Sequence, residues 1–462
     1  MLSVLGNRAY RRLFTAQVVA LVGTGLATVA LGLLAYDIAG GQASAVLGTA
    51  LAIKMTSYVG IAPLISAFAD RIPRRALLVS MDVVRAGVAL VLPFVTEVWQ
   101  VYGLILLLQA ASACFTPTFQ ATVPEVLPEE RDYTRALSLS RLAYDLESLF
   151  SPALAAALLS LVSYPWLFAG TAVGFAASGL LVLSVLLPTP EPVERAGGAY
   201  AKAVFGTRLF LATPRLRALL ALDLVVAAAG AMVLVNTVVL VRGTLGRSAG
   251  DVSLALGAYG AGSLLVALLL PRLLVRLGDR TLMLPAAFVL TLATGALAVG
   301  LRTGDPAPGR SWPALLAAWA VIGAATSAIL TPGGRLLRRS AAPSDLPAVF
   351  AARFSLTHAC WLITYPVAGW LASRAGLAAA AGALAALALA GTLASVRLWP
   401  REDPSEIEHE HPELPGDHPH LTGAGAGAGM GAGHRHSHDF RIDVLHRRWP
   451  AARDRTTSRA AA

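Results

Sequence analysis

The chain has 462 residues, of which 56% are hydrophobic and 14% charged, against about 25% charged in a soluble globular domain. These proportions exclude a water-soluble enzyme of this size, and neither a nucleotide-binding loop nor a hydrolytic triad argues for catalysis. The formal charge of +10 comes from 37 basic and 27 acidic residues; the basic ones flank apolar stretches, so the excess reports topology rather than a nucleic-acid partner.

In chain order, twelve apolar runs are predicted to cross a bilayer as helices: 13–36, 44–67, 76–95, 99–123, 137–162, 166–187, 216–241, 251–275, 281–301, 312–332, 348–372 and 375–398. Each is close to the roughly 20 residues that the hydrocarbon core demands. Arg8, Arg11 and Arg12 precede the first run without a small-residue cleavage site, so it reads as an uncleaved span. The loops after runs 1, 3 and 5 carry no basic residue. Those after runs 2, 4, 6, 8 and 10 carry clusters such as Arg71, Arg74, Arg75 and Arg335, Arg338, Arg339. Basic loops stay inside, so a multi-pass protein of the bacterial cytoplasmic (inner) membrane with both termini cytoplasmic is expected. Cys114 and Cys360 fall inside runs and make neither a disulfide framework nor a Cys-rich metal site.

The longest loop inside the membrane region, 188–215, opens Pro188-Thr189-Pro190-Glu191-Pro192 and separates six runs from six. The expected organisation is an N-terminal six-helix half (1–187), a cytoplasmic linker (188–215), a C-terminal six-helix half (216–399) and a disordered, His-rich cytoplasmic tail (400–462). Internal repetition supports the two halves. Thr116-Pro117 is followed by Pro152, as Thr331-Pro332 is followed by Pro366, and Asp70-Arg71 recurs as Asp279-Arg280. Duplicated six-helix halves are a transporter architecture with the substrate path between them.

The loop Ser66-Ala67-Phe68-Ala69-Asp70-Arg71-Ile72-Pro73-Arg74-Arg75 resembles the G-x-x-x-D-R-x-G-R-R signature of the major facilitator superfamily, with Ser66 and Pro73 in place of the glycines. The resemblance implies an all-α, twelve-helix fold in two pseudo-symmetric halves, with Asp70 latching the cytoplasmic side and Arg71, Arg74 and Arg75 facing the headgroups. Phe115-Thr116-Pro117-Thr118-Phe119-Gln120-Ala121-Thr122-Val123-Pro124-Glu125, followed by Arg135-Ala136-Leu137-Ser138, resembles the macrolide-efflux and enterobactin-exporter group. Ser151-Pro152-Ala153-Leu154-Ala155-Ala156 is similar to the antiporter motif G-P-x-x-G-G, keeping the proline and losing the glycines.

Ionisable groups at membrane depth are costly, so each is a candidate: Lys54 in run 2, Asp82 and Arg85 in run 3, Arg141, Asp145 and Glu147 in run 5, Asp223 in run 7, Arg353 and His358 in run 11. Asp82 with Arg85, and Arg141 with Asp145, are spaced to pair on one helix face, which favours a structural role. Glu147 has no such local partner, and Asp223 sits in a helix that lines the cavity of this fold; both are candidate proton-coupling groups. His358, two residues before Cys360, is a candidate metal contact or a hydrogen-bonded packing residue.

The tail carries His409, His411, His418, His420, His434, His436, His438 and His446, eight of the nine histidines, interleaved with carboxylates. Alternating imidazoles suit nickel, cobalt, zinc or copper(II), and flexible spacing suits a sequestering arm. A twelve-helix exporter with such a tail resembles the NreB-type nickel-resistance exporters. That resemblance implies export of Ni²⁺ or Co²⁺ by proton antiport; a monomer with no resident cofactor is expected. Efflux of an organic drug or siderophore by the same fold, and metal sensing without transport, are the alternatives.

Overall fold

The computed structural model describes residues 2–61, 73–127, 154–187, 199–303, 308–341, 345–400, 406–410, 435–439 and 449, with scattered positions between 129 and 151 that include Glu147 and Ser151. In chain order the helices are α1 (Arg8–Ala39), α2 (Ala43–Thr56, ending in a π turn at Ser57–Ile61), α3 (Arg74–Val91), α4 (Val98–Val126), α5 (Pro165–Leu183), α6 (Ala199–Ala212) and α7 (Pro214–Val238, ending in a π turn at Val239–Thr244). They continue with α8 (Ala249–Arg276), α9 (Asp279–Thr303), α10 (Pro308–Leu330), α11 (Gly333–Ser340), α12 (Leu346–Ala375) and α13 (Leu377–Leu398). The fifth run lies between α4 and α5, and its described residues Glu147, Ser151 and 154–159 are helical.

The helix ends follow local chemistry. Asn7 starts α1 by accepting from the amides of Ala9 and Tyr10 at 3.0 and 3.1 Å, and Ser248 with Asp251 forms a reciprocal capping box on α8. Gly376, at φ +85°, turns the chain from α12 into α13.

Among the described residues, nine helical stretches are long and apolar enough to cross a membrane. One of them, Arg8–Val59, is α1 and α2 joined by a turn at Gly40–Gln42. α12 is long enough, but Arg353, Thr357, His358 and Thr364 lower its mean hydropathy. The outer surface is apolar: Val83, Leu180, Leu268 and Leu292 are each about two-thirds exposed. Water would penalise such a surface, and lipid chains cover it at no cost.

Packing repeats between the halves. α1 packs on α5 as α7 packs on α13, α3 on α5 as α9 on α13, α3 on α4 as α9 on α10, and α2 on α4 as α8 on α10. Helix α7 is enclosed nearly throughout, from Pro214 to Val238. The halves meet chiefly where α2 crosses α12. Gly48 and Gly369 face each other there: a Cβ on Gly48 would stand 2.7 Å from the Tyr365 carbonyl oxygen, and one on Gly369 would collide with the Ser44 carbonyl. The Trp370 indole N–H fastens the same crossing by donating to Thr49 Oγ1 at 2.8 Å.

Two features differ from the sequence reading. The linker contains a helix, α6, because Leu209 and Phe210 are buried and the helix packs on α12. The tail contains an antiparallel hairpin, β1 (Glu406–Glu410) with β2 (Arg435–Asp439), where no regular structure was expected.

Candidate functional site

Lys54 lies in the last turn of α2 and Glu147 on the fifth run, within electrostatic reach of each other and both half-buried. The fifth run approaches α1 closely here, since a Cβ on Gly25 would strike the Ser151 side chain and come within 2.8 Å of Glu147 Oε1. From the other half, α12 brings His358 into the field of Lys54. The imidazole stacks on Phe354 (centroids 4.0 Å apart) and stands beside Tyr58 (5.4 Å), which also meets the Phe354 ring edge-on at 6.0 Å. Nδ1 lies 2.7 Å from the Phe354 carbonyl oxygen. A carbonyl only accepts, so Nδ1 carries the proton and Nε2 is left as an acceptor. Lys54 is twelve residues into α2 and His358 thirteen into α12; at about 1.5 Å per residue both sit near mid-bilayer. The result is an ammonium, a carboxylate and an imidazole among aromatic rings, drawn from both halves.

A second buried centre lies within the C-terminal half. Asp223 on α7 is fully buried. It accepts from Thr357 Oγ1 at 2.9 Å and lies 3.4 Å from an Arg353 guanidinium nitrogen, both on α12. The Arg353 guanidinium also occupies the space where Gly333 would carry a Cβ. Asp223 thus has a cation as partner, which sequence spacing could not reveal because the two residues stand 130 positions apart. His358 and Cys360 do not converge: residues two apart point to opposite sides of a helix, and Cys360 is in the field of Asp223 whereas His358 faces Lys54. Among the described residues no three His, Cys, Asp or Glu side chains gather to hold a metal ion.

Asp82 and Arg85 are buried at 1% and 5% exposure and form an ion pair within α3. The Arg85 guanidinium is held between the rings of Phe115 and Phe175, 4.0 and 4.5 Å from their centroids. Of the gating loop, Ser66, Asp70 and Arg71 lie outside the described residues, as do Arg141 and Asp145. Pro73 precedes α3 as its N-cap, Arg74 starts it, and Arg75 donates to the Leu183 carbonyl at the end of α5. In the tail, backbone register pairs His409 with His436 and Ile407 with His438. His411, His418, His420, His434 and His446 lie outside the described residues.

The second copy of the Asp-Arg loop is visible. Asp279, 3% exposed at the start of α9, receives Arg335 at 2.7 Å and Arg339 at 3.2 Å, both from α11. Sequence reading marked these arginines only for topology; the recurrence of Asp70-Arg71 at Asp279-Arg280 was the signal that could have found the latch. Arg215, also missed, is 2% exposed and bonds α11 through Ser340 Oγ (2.7 Å) and the Arg339 carbonyl (2.6 Å). At the opposite end of the bundle, Arg242 from the C-terminal half reaches Asp37 of α1 at 3.1 Å, with Tyr36 beneath its guanidinium at 4.7 Å. Tyr164 also bonds Asp37, and burial together with that carboxylate pushes its phenol up to about 12.

The sequence profile described as Major Facilitator Superfamily matches residues 13–240 and again 220–422. Over 152 residues the chain is 26% identical to Macrolide efflux protein A of Enterococcus faecalis, an alignment covering 31% of this chain and 47% of that protein. Over 250 residues it is 24% identical to the uncharacterized MFS-type transporter YfiS of Bacillus subtilis (strain 168), covering 53% and 57%. The chain thus spans about half the length of the curated relatives it matches. Among solved structures, a bacterial homolog of the human lysosomal transporter Spinster, inward-facing and unoccupied, superposes with a TM-score of 0.65 at 12% identity over 86% of this chain and 98% of that one. A D-xylose-proton symporter gives 0.64 at 14% identity over 85% and 97%, a likeness of fold. Apolar spans, repeated half-bundle packing and a profile match over most of the chain converge: this protein belongs to the Major Facilitator Superfamily and is an all-α, multi-pass membrane protein.

Proposed function

We propose that this protein is a proton-coupled exporter of organic, amphipathic molecules. The observation that carries the reading is the mid-bilayer cluster of Lys54, Glu147 and His358 set among Tyr58 and Phe354, built from both halves. Aromatic faces take apolar cargo, and the three polar groups orient it. Glu147 is either protonated or ionised beside Lys54. The two forms differ by one charge in a medium that penalises charge, so they interconvert only while the site is open to water on one side. Cargo and proton exclude one another there, which is the requirement for antiport. The partial likeness to Macrolide efflux protein A supports this cargo class. In this reading the arginine-rich end, with Asp279, Arg335 and Arg339, faces the cytoplasm, as do both termini; the membrane is the bacterial inner membrane, and a monomer suffices.

A second reading, export of Ni²⁺ or Co²⁺, is favoured by one observation: β1 and β2 place His409 opposite His436 and His438 two positions further along the same strand, in a tail rich in further histidines. In that reading the tail gathers metal for the carrier.

The test is cell-associated ethidium, labelled erythromycin and nickel in an efflux-deficient bacterium expressing the full chain, its Glu147→Gln variant, or the chain lacking 401–462. Lower ethidium or erythromycin that depends on Glu147 is expected. Lower nickel alone, lost on removing the tail, would replace the organic reading with the metal one.

A further inference from the structure

Trp449 belongs to the tail, well beyond the end of α13, yet it packs against the core of the helix bundle. The Arg215 guanidinium stands 5.3 Å from the centroid of its indole ring. Arg215 is enclosed at the foot of α7, and it also bonds Ser340 and Arg339 on the last turn of α11. That short helix is held at three points along its eight residues. Its end is bonded by Arg215, its first and last turns are fastened to Asp279 through Arg335 and Arg339, and its first residue, Gly333, lies against the Arg353 guanidinium that pairs with Asp223. A line of direct contacts therefore runs from a tail indole to the buried carboxylate of α7, with one small helix as its middle. Trp399, just after α13, is also buried at 2% exposure, so the chain meets the bundle at Trp399 and again at Trp449.

We propose that the tail is a strap. Trp449 docks on Arg215 and, through α11, keeps Arg353 against Asp223, stabilising the conformation in which Arg242 and Asp37 close the opposite end. Undocking loosens α11 and shifts the population towards the state open at that opposite end. The indole supplies a flat electron-rich face to a desolvated guanidinium, an arrangement that tolerates another aromatic ring but not a methyl group. α11 couples because its three attachments are to charged groups with two discrete conditions, joined or parted.

The experiment is hydrogen–deuterium exchange on the full chain in lipid nanodiscs, which needs no knowledge of the cargo. Trp449→Ala should speed exchange across Gly333–Ser340 and across Val239–Thr244, which contains Arg242, by threefold or more, while Trp449→Phe stays close to the parent. Arg215→Lys, which keeps the charge but loses the planar donor fork, should reproduce the alanine pattern. Unchanged exchange at Gly333–Ser340 in Trp449→Ala would show the indole to be a passive surface contact and overturn the strap. Faster exchange at Gly333–Ser340 with none at Val239–Thr244 would overturn its link to the opposite end.

Discussion

Among the described residues, Asp82 with Arg85 in the N-terminal half and Asp223 with Arg353 in the C-terminal half are both buried carboxylate–guanidinium pairs, and the two differ in what they join. Asp82 and Arg85 belong to a single helix and are closed over by Phe115 and Phe175. Asp223 and Arg353 belong to different helices, α7 and α12, with Thr357 completing the contact. A pair within one helix travels as a unit, and no sliding or rocking between helices alters its geometry. A pair across two helices is made or broken by their relative motion, and the cluster of Lys54, Glu147 and His358 extends that logic across the two halves. Alternating access in this fold is a movement of one half against the other, and only pairs whose partners lie on different helices can be altered by such movement.

The comparison can be broken most severely at the inter-half cluster. Glu147→Gln and Lys54→Met, each expressed to the parent level in the membrane, should lower uphill ethidium or erythromycin efflux tenfold or more. Near-parental efflux in both would remove the cluster from the coupling mechanism. The next effect is on stability. Asp223→Asn leaves Arg353 without its carboxylate and should cost about 3–5 kcal/mol, the scale of breaking a buried pair, seen as a lowered melting temperature in detergent. Replacing both, Asp223→Leu with Arg353→Leu, should recover most of the loss. In contrast, Asp82→Asn should leave efflux per folded molecule unchanged, and a transport defect there would erase the distinction between local and distant pairs.

The smallest effect is expected at the far-end contact. Arg242 and Asp37 are 30% and 42% exposed, and exposed pairs contribute about 0–1 kcal/mol, so Asp37→Asn should barely shift the melting temperature. Tyr164 adds a pH signature. Its phenol is raised from 10.0 to about 12, so the folded protein favours the neutral donor. That contribution is complete below pH 10 and is lost as pH climbs towards 12. Melting between pH 6 and 9 should therefore be the same for the parent and Tyr164→Phe apart from a constant offset, and a slope confined to the parent in that window would contradict the assignment.

Much of the fold was legible in the chain. Eleven apolar runs coincide with helices α1 to α5, α7 to α10, α12 and α13, with the fifth run between α4 and α5, because burial in lipid demands long apolar stretches whatever their neighbours. The i,i+3 spacing of Asp82 and Arg85 foretold their pairing, since helix geometry alone decides it. The site was legible only as a list of residues. Lys54, Glu147, His358, Asp223 and Arg353 were all named, but not who faces whom, and the His358–Cys360 juxtaposition dissolved once α12 turned them apart. Arg215 and the Asp279 latch went unrecognised, because a loop arginine looks the same whether it faces headgroups or bonds a helix end. The hairpin in the tail was likewise unforeseen, since its strands are too polar to announce themselves by alternation.

What the sequence by itself determined is one-dimensional: where the chain enters and leaves the bilayer, which loops are basic, that the halves repeat, and that a histidine-rich tail follows. Hydropathy and spacing along a helix are local sums, fixed by neighbours within a few turns. The tertiary structure decided everything that depends on the rotation and crossing of helices distant in sequence. It set Glu147 in reach of Lys54, gave Asp223 its arginine, let α2 and α12 touch through Gly48 and Gly369, and brought Trp449 onto Arg215. Those choices are packing solutions: a helix can present any face to its partner until the shapes and charges of both are known together.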